Sequence, residues 1–192
     1  GGLFVANDEQ VARLDAYFDE LSAEQPVERL DASQTRALCP LLRQSYVAGG
    51  IFDPWSMDID VSALHQGYLA AFRKRGGEIR TSSPVTGLSR SAGPWTVEVG
   101  GSRVQAAVVV NASGAWADDI GRMAGAVEIG LVPKRRTALI VSAPSAVDPG
   151  RWPLTIDVDE AFYLKPDAGR LLVSPANEDP EPPCDVQPDE MD

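Results

Sequence analysis

The spacing of apolar residues along the chain alternates between two patterns, which predicts a mixed α/β fold. Helical spacing of three or four positions places Val11, Leu14, Phe18 and Leu21 on one face of a first helix. Asn7 or Asp8 is expected to cap this helix, since a short side-chain oxygen accepts a first-turn N–H. A second helix is predicted over residues 61–74, with a buried stripe of Leu64, Tyr68, Ala71 and Phe72. Shorter apolar runs at residues 1–6, 46–52 and 137–142 are predicted to be strands.

Two β-hairpins are predicted where turn residues separate short extended runs. The first joins residues 95–99 to residues 103–107 across Gly100-Gly101-Ser102. The second joins residues 162–166 to residues 170–174 across a turn that contains Gly169. Because helix–strand units alternate with hairpins, we expect two layers of different character interleaved in one chain.

The stretch VVVNASGAWADDIGRMAG, residues 108–125, joins an apolar run to a helical pattern through small residues. Residues 108–111 are predicted to form a strand buried on both faces of a parallel sheet, and residues 116–124 a helix. Small residues at such a corner leave room for a ligand, and a helix start offers unpaired N–H groups. The same residues are also consistent with tight strand–helix packing and no ligand.

A phosphate-binding loop of the G-x-G-x-x-G type is absent from the sequence. The glycine pairs at 49–50, 76–77 and 100–101 have the wrong pattern, and Gly114, Gly121 and Gly125 are too widely spaced. A complete pyrophosphate cradle of that type is therefore not expected within these residues.

The chain is acidic, which limits its partners. It has 17 Lys and Arg against 28 Asp and Glu, a formal net charge of −11. A surface of this charge repels phosphate backbones, so nucleic acid is not an expected partner. No apolar run approaches the ~20 residues of a membrane span. Residues 177–192 hold seven of the acids, four prolines and no Lys or Arg, which predicts an extended, solvated tail.

Neither a metal site nor a hydrolytic triad is predicted. His65 is the only histidine, and it lies off the predicted buried stripe of its helix, so we expect it to be exposed. One histidine and two distant cysteines, Cys39 and Cys184, cannot close a tetrahedral metal site. A Ser-His-Asp triad would have to use His65 as its base.

The order of motifs resembles the central part of FAD-dependent oxidoreductases of the D-amino acid oxidase and glycine oxidase superfamily. The motifs are GGLFVA, CPLLR, the block GGIFDPWSMDIDVSALHQGYLAAFRKRGGEI, SPVTGL, VVVNASGAWADDIGRMAG, LVPKRRT and FYLKPDAGRLLVSPANEDPEPPCDVQPDE. The resemblance implies an α/β (mixed α+β) class, with part of an FAD-binding Rossmann-like domain interleaved with a mixed, largely antiparallel substrate-domain sheet. The expected boundaries are 1–52 for a substrate-domain part, 53–130 for an FAD-binding part with a hairpin insertion, 131–176 for the substrate-domain sheet and 177–192 for the acidic tail. The resemblance also places the family's Gly-rich loop before Gly1 and its substrate-binding Arg after Asp192, so we expect the chain to be a fragment.

The resemblance further assigns roles to single residues. Val85 matches a position whose backbone contacts adenine. The corner that would lie against the ribityl and phosphate region of the flavin consists of Ala112, Ser113, Gly114 and Trp116. Arg135 would sit near the flavin ring, and Tyr163 would donate its hydroxyl to the substrate carboxylate. From the residues alone, Val85 or Tyr163 could instead be a plain strand residue, Trp116 a core residue and Arg135 part of a solvated basic run.

The implied activity is oxidation of the C–N bond of a small amine or amino acid by hydride transfer to FAD, with the fragment alone nearly inactive. Two alternatives stay open: a non-catalytic interaction module on the same fold, and an α/β enzyme that uses a nicotinamide cofactor. The expected partner is a small amine or amino-acid substrate, with a homo-oligomer left open. We expect a cytoplasmic location.

Overall fold

A computed structural model describes residues 1–145 and 147–188 of the chain, and the last four residues of the predicted acidic tail lie outside this range. The chain folds as two compact units. Unit 1 consists of Gly1–Asp58 and Arg135–Asp179, and unit 2 of Ile59–Lys134 with residues 180–188. Each unit is therefore assembled from more than one stretch of the chain.

The regular elements of the described residues follow the predicted alternation of helices and hairpins. The helices are α1 (Val11–Glu24), α2 (Ala32–Leu38), α3 (Val61–Lys74) and α4 (Ala117–Met123). The strands are β1 (Gly2–Ala6), β2 (Glu28–Asp31), β3 (Gly49–Asp53), β4 (Val85–Ser89), β5 (Trp95–Val99), β6 (Ser102–Ala106), β7 (Lys134–Arg135), β8 (Leu139–Val141), β9 (Leu154–Asp157), β10 (Tyr163–Asp167), β11 (Arg170–Ser174) and β12 (Asp179–Pro180).

Unit 1 is built on a mixed sheet with the strand order β2-β3-β1-β9-β10-β11-β8. The pairing of β1 with β9 is parallel, and the other pairs are antiparallel. Phe4 of β1 lies opposite Ile156 of β9, which in turn lies opposite Tyr163 of β10. The prediction of a mixed, largely antiparallel sheet is confirmed.

Side chains that alternate along β1 bury both faces of this sheet. Leu3 and Val5 are fully buried in one cluster with Cys39 and Leu164. On the other face, α1 presents its fully buried Leu14 to a cluster that includes Phe4. Burying a leucine side chain contributes roughly 1.5–3 kcal/mol, so this contact fixes α1 on the sheet.

Short polar side chains start the first helical segments. Asn7 accepts hydrogen bonds from the N–H groups of Glu9 and Gln10 and begins the 3-10 turn that leads into α1, as predicted. Asp31 caps α2 in the same way through the N–H of Gln34. Each cap satisfies N–H groups that have no partner inside the helix.

Unit 2 contains a three-stranded antiparallel sheet, β4-β5-β6, and the helices α3 and α4. The predicted hairpin at β5 and β6 and the predicted span of α3 are confirmed. His65 on α3 is exposed, also as predicted.

Two burial predictions for unit 2 are wrong. The apolar stripe of α3 is exposed, with Leu64 at 49% and Tyr68 at 68% relative accessibility. Residues 108–111 form no strand, and Val110 is 82% exposed. A strand forms only where a neighbouring strand accepts its hydrogen bonds, and the apolar face of a helix is buried only where another element packs on it. The described residues supply neither at these positions.

Candidate functional site

Unit 2 contains a cavity of about 590 Å³ that brings together three of the predicted cofactor residues. Val85, at the start of β4, lines this cavity together with Ser113 and Trp116 of the small-residue corner. The indole of Trp116 is 44% exposed, so it is a wall of the cavity rather than a core residue. An open cavity with a flat aromatic wall suits a planar group such as a nucleotide base.

β4 is an edge strand, because the sheet order is β4-β5-β6. An edge strand leaves some of its backbone N–H and C=O groups unpaired in the sheet. The ladder between β4 and β5 is also irregular between Val85 and Gly87. The backbone at this end of β4 is therefore available to a ligand.

The corner at residues 112–116 is open to a close approach. Gly114 has a φ of +56°, and a Cβ built on it would meet no atom within 4 Å. Ala112 lies in the same corner and is exposed. No bulky side chain covers this bend in the described part of the chain, so a ligand could reach its backbone.

The hydrogen bonds of the corner converge on Asn111, which the sequence analysis did not single out. Its Oδ1 accepts from the Ser113 hydroxyl at 2.7 Å and from the Ser113 N–H at 3.3 Å. Its Nδ2 donates to the carbonyl of Ala117 at 2.8 Å. The side-chain amide thus spans the bend from one end to the other.

The start of α4 carries acidic side chains, which makes it unfavourable for an anion. The helix has seven residues and follows a 3-10 turn at Gly114–Trp116. Its first turn carries Asp118 and Asp119, whose charges repel a phosphate. The N–H groups of Ile129 and Leu131 hydrogen-bond to the Asp118 carboxylate, the former most strongly, and hold its pKa below the usual range.

Unit 1 contains a second cavity, of about 670 Å³, on the α1 face of the sheet. Its floor is formed by neighbouring side chains of three strands: Phe4, Ile156 and Tyr163. Lys165 joins them because alternate residues of a strand share a face. Tyr17 of α1 forms a wall, and its ring meets Phe4 edge-on at 5.0 Å between centroids.

The charged groups around this second cavity are largely arranged as ion pairs. Lys165 Nζ lies 2.8 Å from Asp58 Oδ1, and Arg136 pairs with Glu178 at 2.5 Å. Lys165 is the more enclosed of the two cations, at 28% side-chain accessibility. The cavity therefore combines an apolar floor with cations that could receive a carboxylate.

A buried carboxylate fixes the turn that leads into Tyr163. Asp157 is fully buried and accepts from the hydroxyl of Tyr46 at 2.5 Å. It also accepts from the N–H groups of Asp159 and Ala161 in the turn between β9 and β10. Burial, with the hydrogen bond to Asp157 second, raises the pKa of Tyr46 to about 12.

Tyr17, which lines this cavity, also has a shifted pKa. Burial raises its pKa above the ordinary value, and the nearby carboxylates of Glu20, Asp53 and Glu160 add to the shift. The phenol is therefore a neutral hydrogen-bonding group at physiological pH. Arg135 lies half-buried in β7, in unit 1.

Among the described residues, no three His, Cys, Asp or Glu side chains form a group able to hold a metal ion. The helices in this part of the chain are all too short or too polar to cross a membrane.

The charged cavity of unit 1, and the small-residue corner beside the cavity of unit 2, are each suited to binding a small molecule. Residues 1–192 match the family model of the DAO type, FAD dependent oxidoreductase. The chain belongs to this family of FAD-dependent oxidoreductases. The predictions of fold class and of membership in an FAD-dependent oxidoreductase family are confirmed, and the nicotinamide alternative is wrong.

Three known proteins illustrate the similarity. Human mitochondrial dimethylglycine dehydrogenase is 31% identical over 149 residues, which cover 76% of this chain and 17% of the relative. Human mitochondrial sarcosine dehydrogenase is 29% identical over 187 residues, covering 90% and 19%. The crystal structure of glycine oxidase from Geobacillus kaustophilus shares the fold, with a TM-score of 0.78 at 22% identity, over 90% of this chain and 46% of that one. The chain spans less than a fifth of the length of dimethylglycine dehydrogenase and of sarcosine dehydrogenase.

Proposed function

We propose that the protein oxidises the C–N bond of a small N-methylated amino acid, with FAD as the electron acceptor. The names of the two relatives, dimethylglycine dehydrogenase and sarcosine dehydrogenase, support this substrate class. The observation that carries the proposal is the cavity of unit 1, where Tyr163 and Lys165 lie on the same face of the sheet as apolar side chains. A hydroxyl and a cation suit a carboxylate, and an apolar floor suits methyl groups.

Val85, Ser113 and Trp116 would hold part of the cofactor, with Ala112 and Gly114 leaving room for it. Their shared cavity and the open bend at Gly114 support this assignment. Arg135 is proposed to lie near the flavin ring, by the resemblance described above. When bound, FAD supplies the two-electron oxidation by accepting a hydride from the carbon next to the amine nitrogen.

The residues of unit 1 would bind and orient the substrate rather than exchange protons with it. Tyr163 would donate its hydroxyl to the substrate carboxylate, and Lys165 would pair with the same group in exchange for Asp58. Phe4 and Ile156 would exclude water from the methyl groups. Holding a substrate in a reactive orientation supplies several kcal/mol toward the barrier.

The test is anaerobic reduction of the flavin in the purified protein that carries this chain. Dimethylglycine and sarcosine are expected to bleach the flavin absorption, whereas glycine betaine, which has no lone pair on nitrogen, is not. Tyr163→Phe should raise KM about tenfold or more with a smaller effect on kcat, because a hydrogen bond to a charged group contributes roughly 1.5–3 kcal/mol.

Tyr68→Phe is the matched control, since Tyr68 is 68% exposed on α3. It should leave both KM and kcat unchanged. If the protein binds flavin but no amine bleaches the flavin absorption, the proposed activity is contradicted and the alternative of a non-catalytic interaction module is favoured. A protein that binds no flavin would contradict the assignment of the unit 2 cavity.

A further inference from the structure

We propose that Asn111 is the positioning residue of the cofactor corner, holding the backbone of residues 112–116 in the shape that receives FAD. This inference rests on the proposed function, because it assumes that the unit 2 cavity holds part of the cofactor. Asn111 itself does not line that cavity, whereas Ser113 and Trp116 do. It acts through these two neighbours.

One end of the corner is fixed by the Oδ1 atom of Asn111. This atom accepts two hydrogen bonds from Ser113, at 2.7 Å from the hydroxyl and 3.3 Å from the backbone N–H. The Ser113 hydroxyl therefore donates within the corner. Because the N–H is used as well, what Ser113 offers the cavity is the remaining acceptor capacity of its hydroxyl and carbonyl oxygens.

The other end is fixed by the Nδ2 atom, which donates to the carbonyl of Ala117 at 2.8 Å. Between the two anchors, the Trp116 N–H donates to the Ser113 carbonyl at 3.1 Å. The two cavity-lining residues thus lie inside a loop that a single side chain closes. Ala117 is also the first residue of α4, so the loop is tied to a regular element.

Gly114 makes this closure necessary. Its φ of +56° lies in the left-handed region, it has no side chain to restrain it, and a Cβ built on it would meet no atom within 4 Å. Glycine loses more conformational freedom on ordering than any other residue. Without the amide of Asn111, the corner would have to be ordered by the ligand, at the expense of affinity.

The experiment compares FAD dissociation constants of the full-length protein with those of Asn111→Leu and Asn111→Asp, using the change in flavin fluorescence on binding. Leucine has a similar size but makes none of the three hydrogen bonds, and we expect about tenfold weaker binding. Aspartate keeps the acceptor for Ser113 and loses the donor to Ala117, so a smaller loss is expected.

Asp60→Ala is the matched control, because Asp60 caps α3 in the same unit by a hydrogen bond to the Ala63 N–H at 2.8 Å. It should leave the affinity for FAD unchanged. Wild-type affinity in Asn111→Leu overturns the proposal, and so does an equal loss of affinity in Asn111→Leu and Asp60→Ala.

Hydrogen exchange of the apo protein separates this inference from the proposed function. The N–H groups of Ser113 and Trp116 should exchange faster in Asn111→Leu than in wild type, whether or not FAD binds. Unchanged exchange overturns the positioning role. If wild type binds no FAD, the proposed function fails, while the exchange rates still decide whether Asn111 orders the corner. Should Asn111→Leu not accumulate as folded protein, Asn111→Asp carries both measurements.

Discussion

The hydroxyl of Tyr46 is one of four donors that hold the buried carboxylate of Asp157 among the described residues. Tyr46→Phe removes this hydroxyl and keeps the ring, which packs against Phe162. A hydrogen bond to a charged group contributes roughly 1.5–3 kcal/mol to stability. Because three donors remain on Asp157, we expect the lower end of this range, a loss of about 1.5 kcal/mol in the free energy of unfolding.

Urea unfolding at neutral pH, followed by far-ultraviolet circular dichroism, measures this loss. Tyr68→Phe serves as the control, because a change at an exposed side chain is expected to stay within about 0.5 kcal/mol. The reasoning fails if Tyr46→Phe also stays within that limit. It fails equally if both variants lose the same amount.

The pKa of Tyr46 adds a pH dependence with a defined sign. Its value of about 12 in the folded protein lies above the ordinary value of 10.0. The folded protein therefore retains this proton at pH values where the unfolded chain has lost it. The contribution is fully present below about pH 10 and is lost as the pH rises toward about 12. Wild type should lose stability more steeply than Tyr46→Phe above about pH 10, and parallel curves would contradict this.

Three further substitutions test the structure: Gly50→Ala and Leu14→Ala in unit 1, and Gly67→Ala on α3 of unit 2. A Cβ on Gly50 would lie 2.9 Å from both the Phe4 carbonyl oxygen and the Thr35 side chain, so Gly50→Ala should destabilise the protein by roughly 1–3 kcal/mol. Gly67 lies on a helix, and a Cβ there would meet nothing within 4 Å. Gly67→Ala should therefore stabilise the protein by roughly 0.5–1 kcal/mol. Leu14→Ala should cost about 2–5 kcal/mol, because Leu14 is fully buried. Urea unfolding measures all three, and a neutral Gly50→Ala or Leu14→Ala would show that the neighbouring atoms move to compensate.

Helices and hairpins are predictable from this sequence because their hydrogen bonds close within a few residues. The span of α3 agrees with the prediction, and the strands of both hairpins lie beside the expected turns. The order of the strands in the large sheet cannot be predicted in this way. The parallel pair of β1 with β9 joins Gly2 to Leu154, and no local pattern encodes a contact of that separation.

Burial in unit 2 fails to follow from the sequence for a physical reason. Apolar periodicity identifies the face of α3 that would be covered, but it carries no information about what covers it. Residues 108–110 are also apolar, and they remain outside any strand because the described residues offer no partner edge. The tendency to be buried is local, whereas burial itself needs a second surface.

The candidate site is predictable in part. The sequence pointed to Val85, Ser113 and Trp116, and these residues line one cavity. Lys165 was missed, although its spacing of two from Tyr163 on a predicted strand already puts the two side chains on one face. Asn111 could not be predicted, because its three hydrogen bonds depend on how the corner folds and leave no pattern in the sequence.

A similar turn lies beside each of the two cavities, but the side chains that form the two turns differ in charge and burial. Asp157 and Asn111 each follow an apolar run, and each accepts a hydrogen bond from the N–H two residues further on, the pattern of an Asx-turn. Asp157 is charged and fully buried, so its turn also depends on the distant donors Tyr46 and Gln10. Asn111 is neutral and exposed, so hydrogen-bonding partners within six residues of it are enough. The turn before Tyr163 is therefore coupled to the stability of unit 1, whereas the corner at Ser113 can be loosened without unfolding the protein.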